Sequence, residues 1–324
     1  MLKDKVILIT GGTGSFGKKF TEITLSQNPK KVIIYSRDEL KQHDMDCEFL
    51  KFRNHDRMRF FIGDIRDKER LSRALNGVDI VIHAAALKQV PACEYSPIEA
   101  VKTNVMGASN LIETCIDNGV EKVIALSTDK SVAPTNLYGA TKLVMEKLMT
   151  QGNSYVGDRK TRFSCVRYGN VLGSRGSVIP VFRNQAKEDG VINITDSRMT
   201  RFWITLEQAV KFVMMCLENM EGGEVFIPKL PSMKITDLAD VIAPDVPKNV
   251  VGIRPGEKIH ETLLTEHESV HAREFENYYV IEPLFPYWHG FIDAGARLPE
   301  GFSYSSNSND KWLDKDKLKE MLSG

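Results

Sequence analysis

Short, continuous apolar runs alternate with longer amphipathic segments along the first half of the chain. The runs read KVILIT, KVIIYS, DIVIHA and KVIALS, and all are rich in Val and Ile. Runs without polar alternation are typical of strands that are covered on both faces, as in a parallel sheet flanked by helices. The alternation of strands with helices therefore predicts the α/β class and a doubly wound parallel sheet.

The spacing of the apolar positions also predicts the bounds of these elements. Strands are predicted at residues 5–10, 31–36, 59–63, 78–84 and 122–127, and helices at residues 16–26 and 99–118. Beyond residue 170, glycines and turn residues become frequent, and a helix at 206–220, a strand at 224–228 and a short helix within DKDKLKEML are predicted. We expect residues 1–170 and 200–229 to form the larger domain, and residues 171–199 and 230–324 a smaller C-terminal α/β domain.

Composition narrows the class of protein further. The 324 residues are 42% hydrophobic and 27% charged, with a formal net charge of zero. A neutral chain has no long-range field to hold nucleic acid or an anionic membrane, so neither is an expected partner. The early apolar run is too short to span a bilayer, and the flanks of a signal peptide are missing. Five scattered cysteines form no CxxC motif, and we expect free thiols in a reducing cytoplasm.

A glycine-rich turn follows the first predicted strand and opens the first predicted helix. It reads TGGTGSFG, with glycines at positions 11, 14 and 17. Gly11 permits the tight turn, Gly14 lets the backbone approach a diphosphate, and Gly17 allows close packing of helix and strand. The helix N-terminus then faces the negative charge. This predicts a Rossmann-type dinucleotide site that includes Thr13, Ser15 and Phe16.

The residues after the second strand indicate which dinucleotide binds. Arg37 stands where an arginine favours a 2′-phosphate, with Ser36 and Lys41 nearby, so we expect NADP rather than NAD. The neighbouring Asp38 is the residue type that would favour NAD, and Arg37 and Lys41 could instead form a solvated face. Three further parts of the cofactor site are expected beside later strands: Asp64 as acceptor for the adenine amine or as a helix cap, Ile65 beside it, and the small Ala84 and Ala85.

A Tyr-x-x-x-Lys pair, Tyr138 and Lys142, follows the fifth strand. The two residues are one helical turn apart and so share a face. A neighbouring ammonium and the positive nicotinamide would favour tyrosinate, which makes the tyrosine a usable base near neutral pH. Thr128, at the end of the fifth strand, can hydrogen-bond the substrate hydroxyl that Tyr138 deprotonates. On a helix without the preceding glycine turn, the pair would be a half-buried Tyr beside a surface Lys.

Seven motifs together resemble the inverting UDP-N-acetylglucosamine 4,6-dehydratase family, which starts pseudaminic acid biosynthesis within the extended short-chain dehydrogenase/reductase superfamily. They are TGGTGSFG, HAAALKQVP, STDK, NLYGATK, VRYGNVLGSRGSVIP, MTRFWIT and RPGEKIHE. The likeness covers nearly the whole chain, and its specific part is Asp129-Lys130. Retaining dehydratases have Asp-Glu there, with the tyrosine well downstream.

The resemblance implies a redox-neutral reaction on UDP-N-acetylglucosamine within one site. Tyr138 removes the proton of the 4-hydroxyl while hydride leaves C-4 for NADP. Lys130 takes the proton on C-5, and Asp129 helps water to leave from C-6. Hydride then returns to C-6, and C-5 is reprotonated on the opposite face. The residues alone leave a second possibility, in which Lys130 is not the base and only forms an ion pair with Asp129 or with a phosphate.

The resemblance also implies a set of substrate contacts and a homo-oligomer. Arg254 and Glu257 are expected near the nucleotide, Asn170 near the diphosphate or sugar, Ser177 and Val178 near the uracil, and Lys88 near the sugar. Arg254 and Arg201 are also candidates for the two phosphates, because guanidinium groups match phosphate oxygens. For each of them a structural ion pair is the competing interpretation. His83 and His260 are expected to be structural, and no cluster has the spacing of metal ligands, so no metal is predicted.

Two other functions remain open from the sequence. A UDP-sugar 4-epimerase or a C-5 epimerase needs the Tyr–Lys pair but not Asp129-Lys130, so that dipeptide distinguishes them. A non-catalytic, nucleotide-sensing protein would keep the fold and lose part of the catalytic set. Retention of Thr128, Tyr138 and Lys142 argues against that function.

Overall fold

A sheet of ten hydrogen-bonded strands forms the centre of the protein in the computed structural model, which describes residues 2–173, 178–285 and 294–323. Its strand order is β16-β14-β15-β10-β6-β5-β4-β1-β2-β3. The strands are β1 Val6–Thr10, β2 Lys31–Ser36, β3 Met58–Ile62, β4 Ile80–His83, β5 Lys122–Leu126, β6 Arg162–Val166, β7 Asn170–Val171, β8 Ile192–Ile194, β9 Thr200–Ile204, β10 Val225–Pro228, β11 Ser232–Lys234, β12 Lys248–Val250, β13 Thr262–Leu264, β14 Ala272–Glu274, β15 Tyr278–Ile281, β16 Ala296–Arg297 and β17 Tyr304–Ser305.

The run from β10 to β3 is entirely parallel. Its central strands are buried on both faces, as the unbroken apolar runs predicted, and β1 has no exposed residue. The chain changes direction across the sheet between β1 and β4, where Ile7 pairs with Val32 on one side and Ile80 on the other. A crevice at the carboxyl ends of the strands opens at such a switch point. The predicted fold class is confirmed.

Helices cover both faces of this sheet. They are α1 Ser15–Ser26, α2 Glu39–Phe49, α3 Lys68–Leu75, α4 Val90–Tyr95, α5 Pro97–Val101, α6 Gly107–Asn118, α7 Leu137–Gln151, α8 Val178–Glu188, α9 Leu206–Asn219, α10 Ile235–Ile242, α11 Glu266–Ser269 and α12 Lys315–Ser323. Side-chain caps set several of their starts, including the Thr205–Gln208 capping box of α9.

The single helix predicted at residues 99–118 is wrong in one respect. The structure divides it into α5, a π-helical turn at Lys102–Met106, and α6. Apolar periodicity does not report a one-residue widening of a helix, and such π-bulges are common beside functional sites. Here the bulge places Thr103 and Asn104 beside the cleft described below.

A second hydrophobic core lies beside the main sheet. It is built around Trp203, with residues from α8, α10 and α12. The predicted division needs two corrections. Strands β14, β15 and β16, assigned to the smaller domain, extend the main sheet as antiparallel strands because β15 pairs with β10. Strand β9, assigned to the larger domain, pairs instead with β7 and β11 in a separate three-stranded sheet. In the described ranges, no helix is long and apolar enough to cross a membrane.

Candidate active site

A cleft of about 500 Å³ lies at the carboxyl ends of the parallel strands. Every residue that the sequence assigns to the cofactor lines it: Gly11, Thr13, Gly14, Ser15, Phe16, Gly17, Ser36, Arg37, Lys41, Asp64, Ile65, Ala84, Ala85, Tyr138 and Lys142. The cleft is also lined by Thr128 and Lys88, which the sequence assigns to catalysis and to the sugar. The structure thus brings a long dinucleotide-shaped surface and the Tyr–Lys pair into one space.

Two positions of the glycine turn must be glycine for a steric reason. Gly11 has φ +66°, and a Cβ on it would lie 2.9 Å from the backbone of Ala85. A Cβ on Gly17 would collide with the backbone of Gly12, so this glycine allows the helix to pack on the turn itself rather than on the strand. Helix α1 begins at Ser15 without a side-chain cap, so its positive end faces the cleft. These features fit a dinucleotide diphosphate.

The carboxylate of Asp38 caps the helix that follows it, α2. It accepts a hydrogen bond from the backbone N–H of Lys41 and lies 2.6 Å from the Lys41 ammonium. The Arg37 side chain is 53% exposed and lies 3.6 Å from Asp64. Burial alone would raise the pKa of Asp64, but hydrogen bonds and charge from Arg66, together with Arg37, hold it below its ordinary value. The mouth of the cleft therefore presents arginine rather than an unengaged carboxylate.

Helix α7 carries the Tyr–Lys pair and is held tightly against the preceding turn. Asn136 caps it by accepting from the N–H of Gly139. A Cβ on Gly139 would overlap the carbonyl oxygen of Lys130, so glycine is required there for close packing. The chain between turn and helix passes through Ala133, which has φ +43° and is a strained position for a residue with a side chain. This compact connection brings Tyr138 and Lys130 together.

The charges around Tyr138 differ from those that the sequence predicted. Burial raises the pKa of Tyr138 to about 12, while the Lys130 ammonium and a hydrogen bond shared with Thr128 lower it. The expected partner, Lys142, is instead committed to the backbone: its Nζ donates to the carbonyl of Leu126 over 2.5 Å. The cation that favours tyrosinate in the protein itself is therefore Lys130. The positive charge of nicotinamide would act in the same direction.

Lys142 is itself unusual because it is 4% exposed. Burial lowers its pKa to about 8, although Cys165 and Glu146 oppose the shift. His83 lies at the end of β4, with Nδ1 2.8 Å from the hydroxyl of Thr10. Burial and the Lys142 charge lower the pKa of His83 to about 3, so it is neutral in the folded protein.

Asp129 and Lys130 form a short 3₁₀ turn directly after β5. Asp129 is fully buried, and its Oδ1 accepts from the Thr128 hydroxyl over 2.8 Å and from the Lys130 ammonium over 3.0 Å. Burial would lower the pKa of Lys130, but the charges of Asp129 and Glu261 outweigh it and raise the pKa above the ordinary value. The protein therefore keeps Lys130 as an ammonium, in hydrogen-bond contact with the Asp129 carboxylate.

Glu261 is a site residue that sequence reasoning missed. It lies in RPGEKIHE, but the motif led us to select Arg254 and Glu257 instead. Its carboxylate is 4% exposed and lies 3.8 Å from Lys130 Nζ. In the sequence, the only indication of a buried role for Glu261 is that it alternates with cationic residues in this motif. That pattern is a weak signal in a single sequence.

Arg201 is hydrogen-bonded to the backbone, and its predicted contact with a substrate phosphate stays a prediction. The residue is 8% exposed, and its guanidinium donates to the carbonyls of Thr200, Lys258 and Ile259. Its Nε also lies 3.8 Å from Glu261. These bonds use most of its fixed donors, so Arg201 anchors the backbone of the segment that carries Glu261.

The remaining predicted substrate residues lie outside the cleft lining. Asn170 is in β7, Val178 begins α8 beside the second core, and Ser177 lies outside the described residues. Arg254 is 62% exposed and 3.7 Å from Glu257, whose Oε2 is buried with no hydrogen-bond partner in the described chain. The structure thus groups Lys88, but not Asn170, Val178, Arg254 or Glu257, with the cofactor surface.

Other lining residues could not be selected from the sequence. Asn104 holds the backbone of Leu87 with its side chain donating to the carbonyl and accepting from the N–H, and it also donates to Thr141. It thereby fixes the segment that leads to Lys88. Tyr168 and Thr103 also line the cleft. Their place in the cleft depends on the π-bulge and on the position of β6, and no local sequence pattern indicates either feature.

Two groups of residues bear on metal and redox chemistry. Within the described ranges, no three His, Cys, Asp or Glu side chains are grouped so that they could hold a metal ion. All five cysteines are free thiols; Cys47 is exposed, and Cys93, Cys115, Cys165 and Cys216 are buried.

Comparison with known proteins identifies relatives along the full chain. The family model described as "Polysaccharide biosynthesis protein" matches residues 7–283. A UDP-N-acetylglucosamine 4,6-dehydratase (inverting) from Campylobacter jejuni is 52% identical, over 99% of this chain and 98% of its own. A UDP-glucose 4-epimerase from Rickettsia felis is 40% identical, over 99% of this chain and 96% of its own.

A solved structure extends the likeness to the fold. The X-ray structure of Pen from Bacillus thuringiensis superposes with a TM-score of 0.90 at 39% identity, and the alignment covers 99% of this chain and 98% of that one.

Proposed function

We propose that this chain, which belongs to the polysaccharide biosynthesis protein family, is an NADP-dependent UDP-N-acetylglucosamine 4,6-dehydratase that inverts C-5. The observation that carries the proposal is the turn Thr128–Asp129–Lys130, where a buried carboxylate and an ammonium are 3.0 Å apart beside Tyr138. Dehydration needs a base for C-5 and an acid for the hydroxyl on C-6, and this pair can supply both. The C. jejuni relative bears the same activity in its name.

The residues divide the work by their positions. Tyr138, with Thr128 hydrogen-bonded to it, accepts the proton of the 4-hydroxyl. NADP, when bound along the glycine turn, would take hydride from C-4 and later return it to C-6. Transfer of one proton from Lys130 to Asp129 makes the amine neutral and the carboxyl acidic. The amine then takes the C-5 proton, and the carboxyl gives its proton to the departing C-6 hydroxyl, which leaves as water. Once hydride has returned to C-6, C-5 takes a solvent-derived proton on the opposite face, and Tyr138 releases its proton to solvent.

The preference for NADP rests on the second strand. Arg37 is exposed at the cleft, whereas the carboxylate of Asp38 is turned into the N-terminus of α2. An arginine at this point suits a 2′-phosphate, and a capped carboxylate is not aimed at a ribose hydroxyl. We further expect a cytoplasmic homo-oligomer whose product enters pseudaminic acid biosynthesis.

The reaction itself tests the proposal. Enzyme, NADP and UDP-N-acetylglucosamine are incubated in deuterated water without added NADPH, and the products are followed by proton NMR. We expect a 4-keto-6-deoxy sugar with inverted C-5 carrying deuterium. Tyr138→Phe should abolish the first oxidation, while Tyr155→Phe, at an exposed position, should not change it. Unchanged substrate in the wild type would refute the assignment.

A UDP-sugar 4-epimerase is the second candidate, because the R. felis relative bears that name at 40% identity. It would need Tyr138 but no proton transfer at C-5. Formation of UDP-N-acetylgalactosamine without deuterium at C-5, or turnover of UDP-glucose to UDP-galactose alone, would favour the epimerase. Full epimerase activity in Lys130→Ala would favour it as well.

A further inference from the structure

Glu261 is the centre of a buried group of charges that the proposed reaction does not yet use. Its Oε1 lies 3.8 Å from both Lys130 Nζ and Arg201 Nε, and its Oε2 lies 3.9 Å from Lys258 Nζ. The backbone on either side is fixed, since its N–H donates to Ser306 Oγ and its carbonyl accepts from the N–H of Ser306. The carboxylate is therefore held rigidly among three cations.

Two carboxylate oxygens in this group lack hydrogen bonds. Asp129 Oδ2 and Glu261 Oε2 are buried, and neither has a hydrogen-bond partner within the described ranges. A buried acceptor without a partner destabilises the protein, so such atoms are rare away from functional sites. Both belong to carboxylates that contact the same ammonium, that of Lys130. This points to a role in holding Lys130 rather than in packing alone.

The segment around Glu261 is tied to the catalytic turn by further contacts. Lys258 Nζ donates to the carbonyl of Val132 over 2.5 Å, and the carbonyl of Gly256 accepts from the side chains of Thr135 and Asn136. These contacts keep the carboxylate at a constant distance from Lys130 while the loop connects to α7. Lys130 is thus contacted both by its own chain neighbour, Asp129, and by a carboxylate from a distant part of the chain.

We propose that Glu261 is a positioning residue that anchors the Lys130 ammonium beside Asp129 and governs when it gives up its proton during the C-5 transfer. The proposal rests on the proposed function for its catalytic consequence. Its electrostatic part stands on the geometry, because a carboxylate at this distance stabilises an ammonium whatever the substrate. Burial and the charge of Asp129 raise the pKa of Glu261 itself, while Lys130, Arg201 and Lys258 oppose that shift.

The direction of the effect follows from the charges that face Lys130. Asp129 and Glu261 stabilise its charged form, Arg201 opposes it, and Lys88 and Lys258 are further cations whose own pKa values are lowered by burial and by Lys130. Tyr138 is the remaining neighbour that titrates. Removing the Glu261 charge takes away one of the two anions that stabilise the ammonium, so the pKa of Lys130 must fall and the neutral amine must form at lower pH.

The first experiment measures this pKa without turnover. The full chain with NADP bound is labelled with ¹³C at lysine Cε, the Lys130 signal is assigned by its loss in Lys130→Arg, and the pH is varied. In Glu261→Gln we expect the pKa of Lys130 to fall by about 1–3 units. The matched control Glu274→Gln removes a carboxylate that pairs with Lys229 at the sheet edge and should leave the signal unchanged. An unchanged pKa in Glu261→Gln would overturn the proposal.

The second experiment measures turnover, with solvent deuterium entry at C-5 recorded across the pH range. In Glu261→Gln we expect kcat to fall at least tenfold with KM nearly unchanged, and the rising limb of the profile to move to lower pH. Glu261→Asp keeps the charge but withdraws it by one methylene, so it should recover part of kcat with a smaller shift. A rise in KM alone, or identical losses in both variants with no shift, would contradict the positioning role.

The two proposals fail in different ways. If the wild type makes no keto sugar, the dehydratase assignment fails, while the NMR titration still decides whether Glu261 controls Lys130. If Glu261→Gln does not fold, the titration of Glu261→Asp decides instead, because any retreat of the charge must lower the pKa of Lys130. A Lys130 pKa in that variant equal to the wild-type value would overturn the proposal.

Discussion

The burial of Lys142 leads to a testable prediction about the stability of the folded protein. The ammonium is 4% exposed, and its pKa is lowered from 10.5 to about 8, chiefly by burial. At about 1.4 kcal/mol per unit, holding this charge inside the folded protein costs about 3 kcal/mol at neutral pH. The hydrogen bond to the Leu126 carbonyl, at 2.5 Å, returns only part of that amount. We expect Lys142→Met to be inactive yet no less stable than the wild type at pH 7.

The pH dependence of stability distinguishes the cost of the buried Lys142 charge from an ordinary change in packing. Between pH 8 and 10.5 the unfolded chain binds the Lys142 proton and the folded protein does not, so wild-type stability rises with pH in this window. Below pH 8 both states are protonated and the full penalty applies. Relative to Lys142→Met, the wild type should therefore gain about 2 kcal/mol between pH 7 and 9.5.

Urea unfolding of nucleotide-free protein at several pH values measures this difference. Lys147→Met, on the exposed face of the same helix, controls for the loss of a lysine and should show a constant difference from the wild type. A constant difference for Lys142→Met as well would refute the reasoning, since it would mean that the ammonium is as well solvated in the folded protein as in the unfolded chain.

Three further outcomes are expected. Arg37→Ala should weaken NADP binding by about tenfold or more while nearly sparing NAD, because it removes a charge-assisted contact to a 2′-phosphate; calorimetry measures both, and equal losses would exclude that role. Gly17→Ala should destabilise the protein by about 1–3 kcal/mol, since the added Cβ meets the backbone of Gly12; an unchanged thermal midpoint would contradict this. The pKa of His83 is lowered to about 3 by burial, so the folded protein stays unprotonated where the unfolded chain takes up a proton, and stability is lost as pH falls below 6.5. His83→Gln should remove about 2–3 kcal/mol of that loss between pH 7 and 4.5. Urea unfolding at several pH values measures this, and an equal loss of stability with falling pH in the two proteins would show that His83 is not the cause.

The parallel sheet and the cofactor surface could be predicted from the sequence because their signals are local. A strand buried on both faces must be apolar throughout, and β2 was predicted with its observed bounds. The glycine turn must lack side chains at Gly11 and Gly17, which is visible in the sequence. Tyr138 and Lys142 share a helical face by spacing alone.

The charge environment could not be predicted because it depends on contacts between distant parts of the chain. Glu261 reaches Lys130 only after β13 and the preceding loop are in place, and Arg201 is buried by carbonyls of that same loop. The partner of Lys142 is a backbone carbonyl, which carries no residue signature. Spacing reports which side chains share an element, but not which ones meet across elements.

The contact between Lys258 and Val132 joins positions that are 126 residues apart. On the ribosome, the parallel strands β1 to β6 and the Tyr–Lys helix emerge well before the segment that completes the surroundings of Lys130. A nascent chain that has reached β6 therefore already contains the glycine turn and the Tyr–Lys pair, while Lys130 still lacks its distal counter-charge. Chemical competence is thus acquired late in synthesis, after the segment that contains Lys258 and Glu261 has left the exit tunnel.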